Sequence, residues 1–288
     1  MDLTIKPTGT RVADAAVAAT ELPRFATMVR ETIAAAPAAA LELANTVTVT
    51  PGGKTFSTIQ AAINSITDAK LQKQYVVQVG PGTYKEVVTC KPYVFLQGAG
   101  VGATVVIAPA AAQQIDKGTI KGASNSAVQN MSVVSAGTSG YGAWAAAIDC
   151  NGTVNFDIEY CGLEADNGSS APGGTNLVAL SIDYSAIGGG SQVNIAYSTI
   201  IANGGAQPLG VSAFANSFVG VTDSKIIAEN ADASWGAASS NGSTINLYNC
   251  TVSGSMSLVL SDSSAHITAT DCHLNGPYST GVVVNSAP

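Results

Sequence analysis

From about Val76 onward the chain repeats one short pattern, in which apolar residues alternate with polar ones for four or five positions before a cluster of Gly, Asn, Ser or Asp intervenes. Period-two runs bounded by turn residues predict β-strands with one buried face. Six ten-residue windows align without gaps: SAVQNMSVVS from Ser126, FDIEYCGLEA from Phe156, VNIAYSTIIA from Val193, VGVTDSKIIA from Val219, INLYNCTVSG from Ile245 and ITATDCHLNG from Ile267. The third position is mostly apolar, and the eighth is always Val, Leu or Ile. The sixth is small or slim, as Met131, Cys161, Ser198, Ser224, Cys250 and Cys272. Subtracting successive starts gives spacings of 30, 37, 26, 26 and 22 residues. Another short strand precedes most windows, in AWAAAID, NLVALSID, GVSAF and SLVLSD. A strand recurring at the same place in coils of about 20 to 30 residues predicts a parallel β-solenoid.

Two stretches break this rhythm with helical spacing. In STIQAAINSITDAK, Ile59, Ala62, Ile63 and Ile66 recur at i, i+3, i+4 and i+7, and Ser57 with Gln60 reads as a capping box. In ELPRFATMVRETIAAA, Phe25, Met28, Val29 and Ile33 share one helical face between Pro23 and Pro37. The predicted architecture is therefore all-β. An Ala-rich helical arm (residues 1–45) leads into a right-handed parallel β-helix domain (residues 46–288), whose first turn is closed by the Ser57 helix. The arm is suited to capping the solenoid or docking a partner, including a second copy of the chain.

Composition narrows the function classes. The chain is 46% hydrophobic but only 11% charged, where about 25% charged is usual, and low charge without low hydrophobicity argues against disorder. Its formal charge is -7, its only arginines are Arg11, Arg24 and Arg30, and beyond Lys121 only Lys225 is basic apart from His266 and His273. Nucleic acids and anionic membranes both require a cationic footprint, so neither is an expected partner. There is no run of 18 apolar residues, and MDLTIKPTGTRVADAAVAAT lacks a basic start followed by an apolar core. The expectation is a chain with no transmembrane segment and no classical signal peptide, cytoplasmic or exported by another route. The five cysteines are widely spaced and form no CxxC pair. They are expected to be free and mostly buried, with Cys161, Cys250 and Cys272 stacked in one ladder. No metal or cofactor site is expected.

The region from Thr46 to Ile107 resembles the pectin methylesterase family. GGKTFSTIQAAINSI is similar to that family's opening strand and capping helix. YVVQVGPGTYKEVV contains its G-x-Y-x-E signature as Gly82, Tyr84 and Glu86, and VFLQGAGVGATVVI is similar to its third strand and turn. The resemblance implies a right-handed β-helix. It also implies a chemistry in which one Asp attacks the ester carbonyl and a second serves as general acid and base. A Gln supports the oxyanion and an Arg keeps the nucleophile ionised. Carried over coil by coil, GVSAFAN puts Ser212 at the nucleophile, and the coil that includes FDIEYCGLEADNG offers Asp166 for the other carboxylate. Gln129, Gln192 and Gln207 remain as amide donors, but no arginine follows Arg30. The resemblance thus points to the fold and away from the family's usual catalysis.

Other β-helix chemistries lack their residues too, because Lys225 is the one basic candidate for a lyase and no cluster of aspartates stands beside a Gly-His-Gly. Asp166 and Asp183 are the carboxylates to test for a relocated hydrolytic site. Ser212 has no histidine nearby in sequence to activate it. Tyr141, Trp144, Tyr184, Phe214, Asn216 and Trp235 are the candidate ligand-binding residues, on strands and turns that flank the family's groove. Three readings stand. The chain is a non-catalytic relative that binds a neutral glycan or a protein along its solenoid face. Alternatively, it is a structural, toxin, virion or secretion-associated protein that assembles through its arm. The third reading is a carbohydrate-active esterase or hydrolase with relocated carboxylates.

Overall fold

Stacked coils of like sequence let each strand pair with its counterpart in the coils before and after it, so the backbone is satisfied between coils. The computed structural model describes residues 45–109, 118–135, 144–166, 176–182, 190–204, 207–229 and 233–285. The Ala-rich arm and its expected helix lie outside these residues. Each complete coil contributes one strand to each of three sheets, and the coils at the two ends contribute fewer. The ten-stranded sheet runs from Thr46–Val49 to Val283–Asn285, the eight-stranded from Gly82–Lys85 to His273–Asn275, and the seven-stranded from Val88–Thr89 to Met256–Leu260. Pairing within each sheet is parallel, as expected of a solenoid.

The gapless alignment of the six windows is the hydrogen-bond register itself. Ser126, Phe156, Val193, Val219, Ile245 and Ile267 stand opposite one another in the ten-stranded sheet. The eighth positions, from Val133 to Leu274, do the same in the eight-stranded sheet. Inside the coil, the third positions Val128, Ile158, Ile195, Val221, Leu247 and Ala269 form one fully buried ladder. Each large member contributes about 1.5–3 kcal/mol through burial.

The corner between these two sheets explains the fifth and sixth columns. The fifth residue takes left-handed backbone in each window, with φ between 50° and 53° at Asn130, Tyr160, Tyr197, Asn249 and Asp271 and 47° at Asp223. From the second window on, the sixth side chain then closes the corner. Ser198 Oγ donates to Ala196 O at 2.8 Å and Ser224 Oγ to Thr222 O at 2.6 Å, while Cys161, Cys250 and Cys272 thiols reach the equivalent carbonyls at 3.2 Å. The same oxygen or sulfur accepts an amide from the preceding coil, as in Cys161 N–H to Ser198 Oγ and Ser198 N–H to Ser224 Oγ, both 3.1 Å. All five cysteines are free, and burial pushes the Cys90 and Cys161 thiols up to about 12.

The helix that closes the first turn spans Ile59–Ser65, shorter than its sequence pattern predicts, although Ile59, Ala62, Ile63 and Ile66 are all buried as expected. Its cap differs from the predicted Ser57–Gln60 box. Thr58 is the N-cap and accepts from Ala61 N–H at 3.2 Å. The next two amides, of Ile59 and Gln60, donate to the two carboxylate oxygens of Glu86 at 2.8 and 2.9 Å. A side chain 26 residues away displaces the local box because it brings full negative charge to the helix N-terminus. Gln60 instead exchanges hydrogen bonds with the Thr89 backbone. The other signature residues are structural as well: Tyr84 is buried and donates to Gly80 O at 3.0 Å. Gly82 has φ 143°, and a Cβ there would lie 2.3 Å from Pro51 Cγ.

Two outcomes follow for stability. Replacing Ile158 by Ala, in the middle of the buried ladder, lowers unfolding free energy by about 2–5 kcal/mol, read from the urea midpoint; a change within error would mean that the ladder is loosely packed. Glu86→Ala leaves two helix amides unpaired and costs about 0.5–2 kcal/mol, seen as a lower melting temperature.

Candidate functional site

The seven-stranded sheet carries Ser212, and its register identifies the neighbours of that residue. Ser212 stands opposite Ser181 in the preceding coil and Ala238 in the following one. Ser181 in turn pairs with Asp149, and Asp149 with Lys121. Two consecutive inward positions shape this face: Val211 is fully buried in the core, and a Cβ on Gly210 would lie 2.3 Å from Ile226 Cγ2. Gly236 repeats the arrangement one coil later, against Val252. The doubled inward step turns Leu209, Ala238 and Val259 to the opposite side. There they form an apolar cluster separate from the core, flanked by Trp235 and Met256.

The structure therefore separates two residues that the coil-by-coil reading brought together. Asp166 ends the strand Gly162–Asp166 of the eight-stranded sheet, opposite Asn203, whereas Ser212 belongs to the seven-stranded sheet. The residue one coil before Ser212 in its own ladder is Ser181, which the sequence reading did not single out. The mismatch arises because 167–175 separate Asp166 from the next strand, Asn176–Ile182, so the true counterpart comes later in sequence. Asp183, Tyr141 and Tyr184 lie outside the described residues, as do the side chains of Asp166 and Trp144. Phe214 and Asn216 lie in the turn after Leu209–Ala213, where Asn216 is exposed with φ 60° and its amide donates to Asn241 O at 2.8 Å. Trp235 is half-buried in the apolar cluster. His266 and His273, on the ten- and eight-stranded sheets, are both on different sheets from Ser212.

A pair of carboxylates that the sequence reading passed over lies on the ten-stranded sheet. Asp157 and Glu159 alternate with the inward residues Phe156 and Ile158, yet both are almost fully buried. Asn194 Nδ2 donates to Asp157 Oδ1 at 3.1 Å, and Gln129 Nε2 donates to Glu159 Oε2 at 2.6 Å. Burial, reinforced by the charge of Asp157, pushes the Glu159 carboxyl up to about 7 against the pull of that hydrogen bond. A carboxyl so placed is divided between its protonated and ionised forms at neutral pH, but at 4% exposure it is closed to a polymer.

The corner between the ten- and eight-stranded sheets is, by contrast, open. Tyr160 and Tyr197 are 49% and 43% exposed, and their rings stack with centroids 4.9 Å apart and planes within 10°. Beyond Tyr197 a shallow groove of about 420 Å³ continues along the corner over Thr199, Asp223, Lys225, Asn249 and Thr251. Neither tyrosine was predicted as a site residue, although both occupy the fifth column of the aligned windows. Among the described residues no group of three or more His, Cys, Asp or Glu side chains converges on a point.

No protein-family model matches the chain, and no curated protein sequence matches it. Solved structures do. A pectin methylesterase from carrot superposes with a TM-score of 0.55 at 12% identity, over 84% of this chain and 88% of that one. Pectin methylesterase PemA from Erwinia chrysanthemi gives a TM-score of 0.49 at 13% identity, over 83% and 92%. The tailspike protein gp49 of Acinetobacter baumannii bacteriophage Fri1, a capsular polysaccharide depolymerase, gives 0.44 at 9% identity, over 84% and 58%. At such identities the likeness is one of backbone, and it shows that this chain has the right-handed parallel β-helix fold of the pectin methylesterases.

Proposed function

We propose that this protein is a glycan-binding β-helix that does not hydrolyse pectin methyl esters. The observation that carries the reading is the ladder through Ser212. De-esterification by two carboxylates needs one to attack the carbonyl while its neighbour moves the proton. Here Ser212 is flanked by Ser181 and Ala238, a hydroxyl and a methyl. The carboxylate of that ladder, Asp149, is 1% exposed. Asp157 and Glu159 belong to a buried network with Gln129 and Asn194, and act on stability rather than on substrate. A neutral glycan is favoured over a polyuronate because the chain carries a formal charge of -7, with Lys225 the sole Lys or Arg beyond Lys121.

Three measurements test this. Methanol release from highly methyl-esterified pectin is expected to stay at the buffer rate; turnover that disappears in Ser212→Ala or Asp149→Asn would refute the non-catalytic reading. A glycan array is expected to show binding to neutral oligosaccharides and none to polygalacturonate, and the reverse preference would contradict it. The buried carboxyl predicts a pH signature. Glu159 is raised from 4.5 to about 7 in the fold, so its protonated form stabilises the fold below pH 4.5, and that contribution is lost as pH rises through 7. Glu159→Gln is therefore expected to be more stable than the parent at pH 8, by about 1–3 kcal/mol, with the difference vanishing near pH 4.5. Equal stabilities at pH 8 would show that the fold does not raise this carboxyl above its ordinary range.

A further inference from the structure

The sheet–sheet corner is occupied in four of the six aligned coils by Asn or Asp, at 130, 223, 249 and 271, and in two by Tyr. That preference has a simple cause. Left-handed backbone crowds the Cβ of an L-residue, and short Asn and Asp side chains tolerate it best because they bond to the nearby backbone. A tyrosine gains nothing locally from such a position. Two of them in adjacent coils, half out in solvent, are not core packing, because Phe156, Ile158 and Ile195 already fill the interior at that level. What they create is a rigid aromatic stack on the outside of the solenoid, in which each ring covers one face of the other and leaves its remaining face and edges towards solvent.

We propose that this corner, with Tyr160 and Tyr197 as its platform and the groove beyond Tyr197 as its continuation, is a binding site for a neutral oligosaccharide lying along the solenoid axis. The proposal rests on the glycan-binding reading above and adds where the chain is held. The face of Tyr197 that Tyr160 leaves uncovered borders the groove and receives the apolar face of a pyranose ring, and the adjoining polar groups fix its hydroxyls. Those groups are present. Thr199, Lys225 and Thr251 form one ladder of the eight-stranded sheet, and Asp223 and Asn249 occupy the corner itself. Asn249 Nδ2 donates to Asp223 Oδ1 at 2.6 Å, which orients both side chains before any ligand arrives. Successive coils are about 4.8 Å apart, so a linear polymer along the axis meets one corner residue after another. One carboxylate and one ammonium line the groove, a balance that suits hydroxyl groups better than a polyanion. Burial and the nearby Asp223 carboxylate hold the Tyr197 hydroxyl proton tighter than usual, leaving it a donor.

Isothermal titration of the whole chain with cellohexaose, xylohexaose, mannohexaose and hexagalacturonate tests the site. The informative variant is Tyr160→Asn with Tyr197→Asn, because Asn already occupies this corner at 130 and 249, and circular dichroism verifies that the coils are kept. Tyr278→Asn, at an exposed tyrosine outside the corner, serves as the comparison. The expected result is binding of at least one neutral hexasaccharide, weakened about tenfold or more in the double Asn variant and unchanged in Tyr278→Asn. Neutral binding that survives in the double variant overturns the corner site and leaves the glycan reading intact. Absence of binding to all three neutral hexasaccharides by the parent chain overturns both, as does binding confined to hexagalacturonate.

Discussion

Everything in this molecule hangs on how the chain turns from the ten-stranded to the eight-stranded sheet. A parallel coil has to bury that corner's peptide groups against the next coil, where water cannot satisfy them. The solution is a relay in which one side-chain oxygen or sulfur serves two backbones. Ser198 Oγ takes the amide of Cys161 from the coil before and gives its own proton to Ala196 O; Ser224 repeats the pattern. Left-handed φ at the preceding residue aims the chain into the second sheet. The result is a fixed corner, so the strands on either side share one register over the six aligned coils.

This is why so much of the architecture was legible in the sequence. The relay is made by Ser or Cys in five of the six windows, Met131 standing in the first, and the two inward ladders are mostly branched aliphatics, so three columns of the aligned windows are set by packing and hydrogen bonding. Read together they gave strand positions, register and the fate of the cysteines. The capping helix was legible from its spacing, but its cap was not. Glu86 reaches Ile59 and Gln60 from another strand, and local rules such as the capping box do not count charges that arrive through space.

The surface was harder to read, for reasons visible in particular residues. Asp166 was matched with Ser212 by counting coils, but the chain between strands varies in length, and only backbone pairing could show that Ser181 is the true neighbour. Asp157 and Glu159 sit at outward-alternating positions, which ordinarily means solvent, and their burial depends on what covers the sheet. Tyr160 and Tyr197 were in plain view in the fifth column. The signal was the exception they make to an Asn/Asp preference, but that preference has meaning only once the corner is known to be left-handed. A column read for what most coils share describes the scaffold, while its exceptions point to what individual coils do.

The shared corner also sets the size of the step by which such a chain can change. Because each coil receives and hands on the same hydrogen-bond pattern, a whole coil is a self-consistent unit, and gaining or losing one leaves the remaining ladders in phase. A single residue inserted between the left-handed position and the relay side chain has no such freedom. It would reverse the inward and outward sense of the strand that follows, turning Ile226 or Val252 out and their polar neighbours in. Length variation is thereby directed away from this edge and into the connections that enter and leave the seven-stranded sheet, where this chain's own coils already differ most from one another.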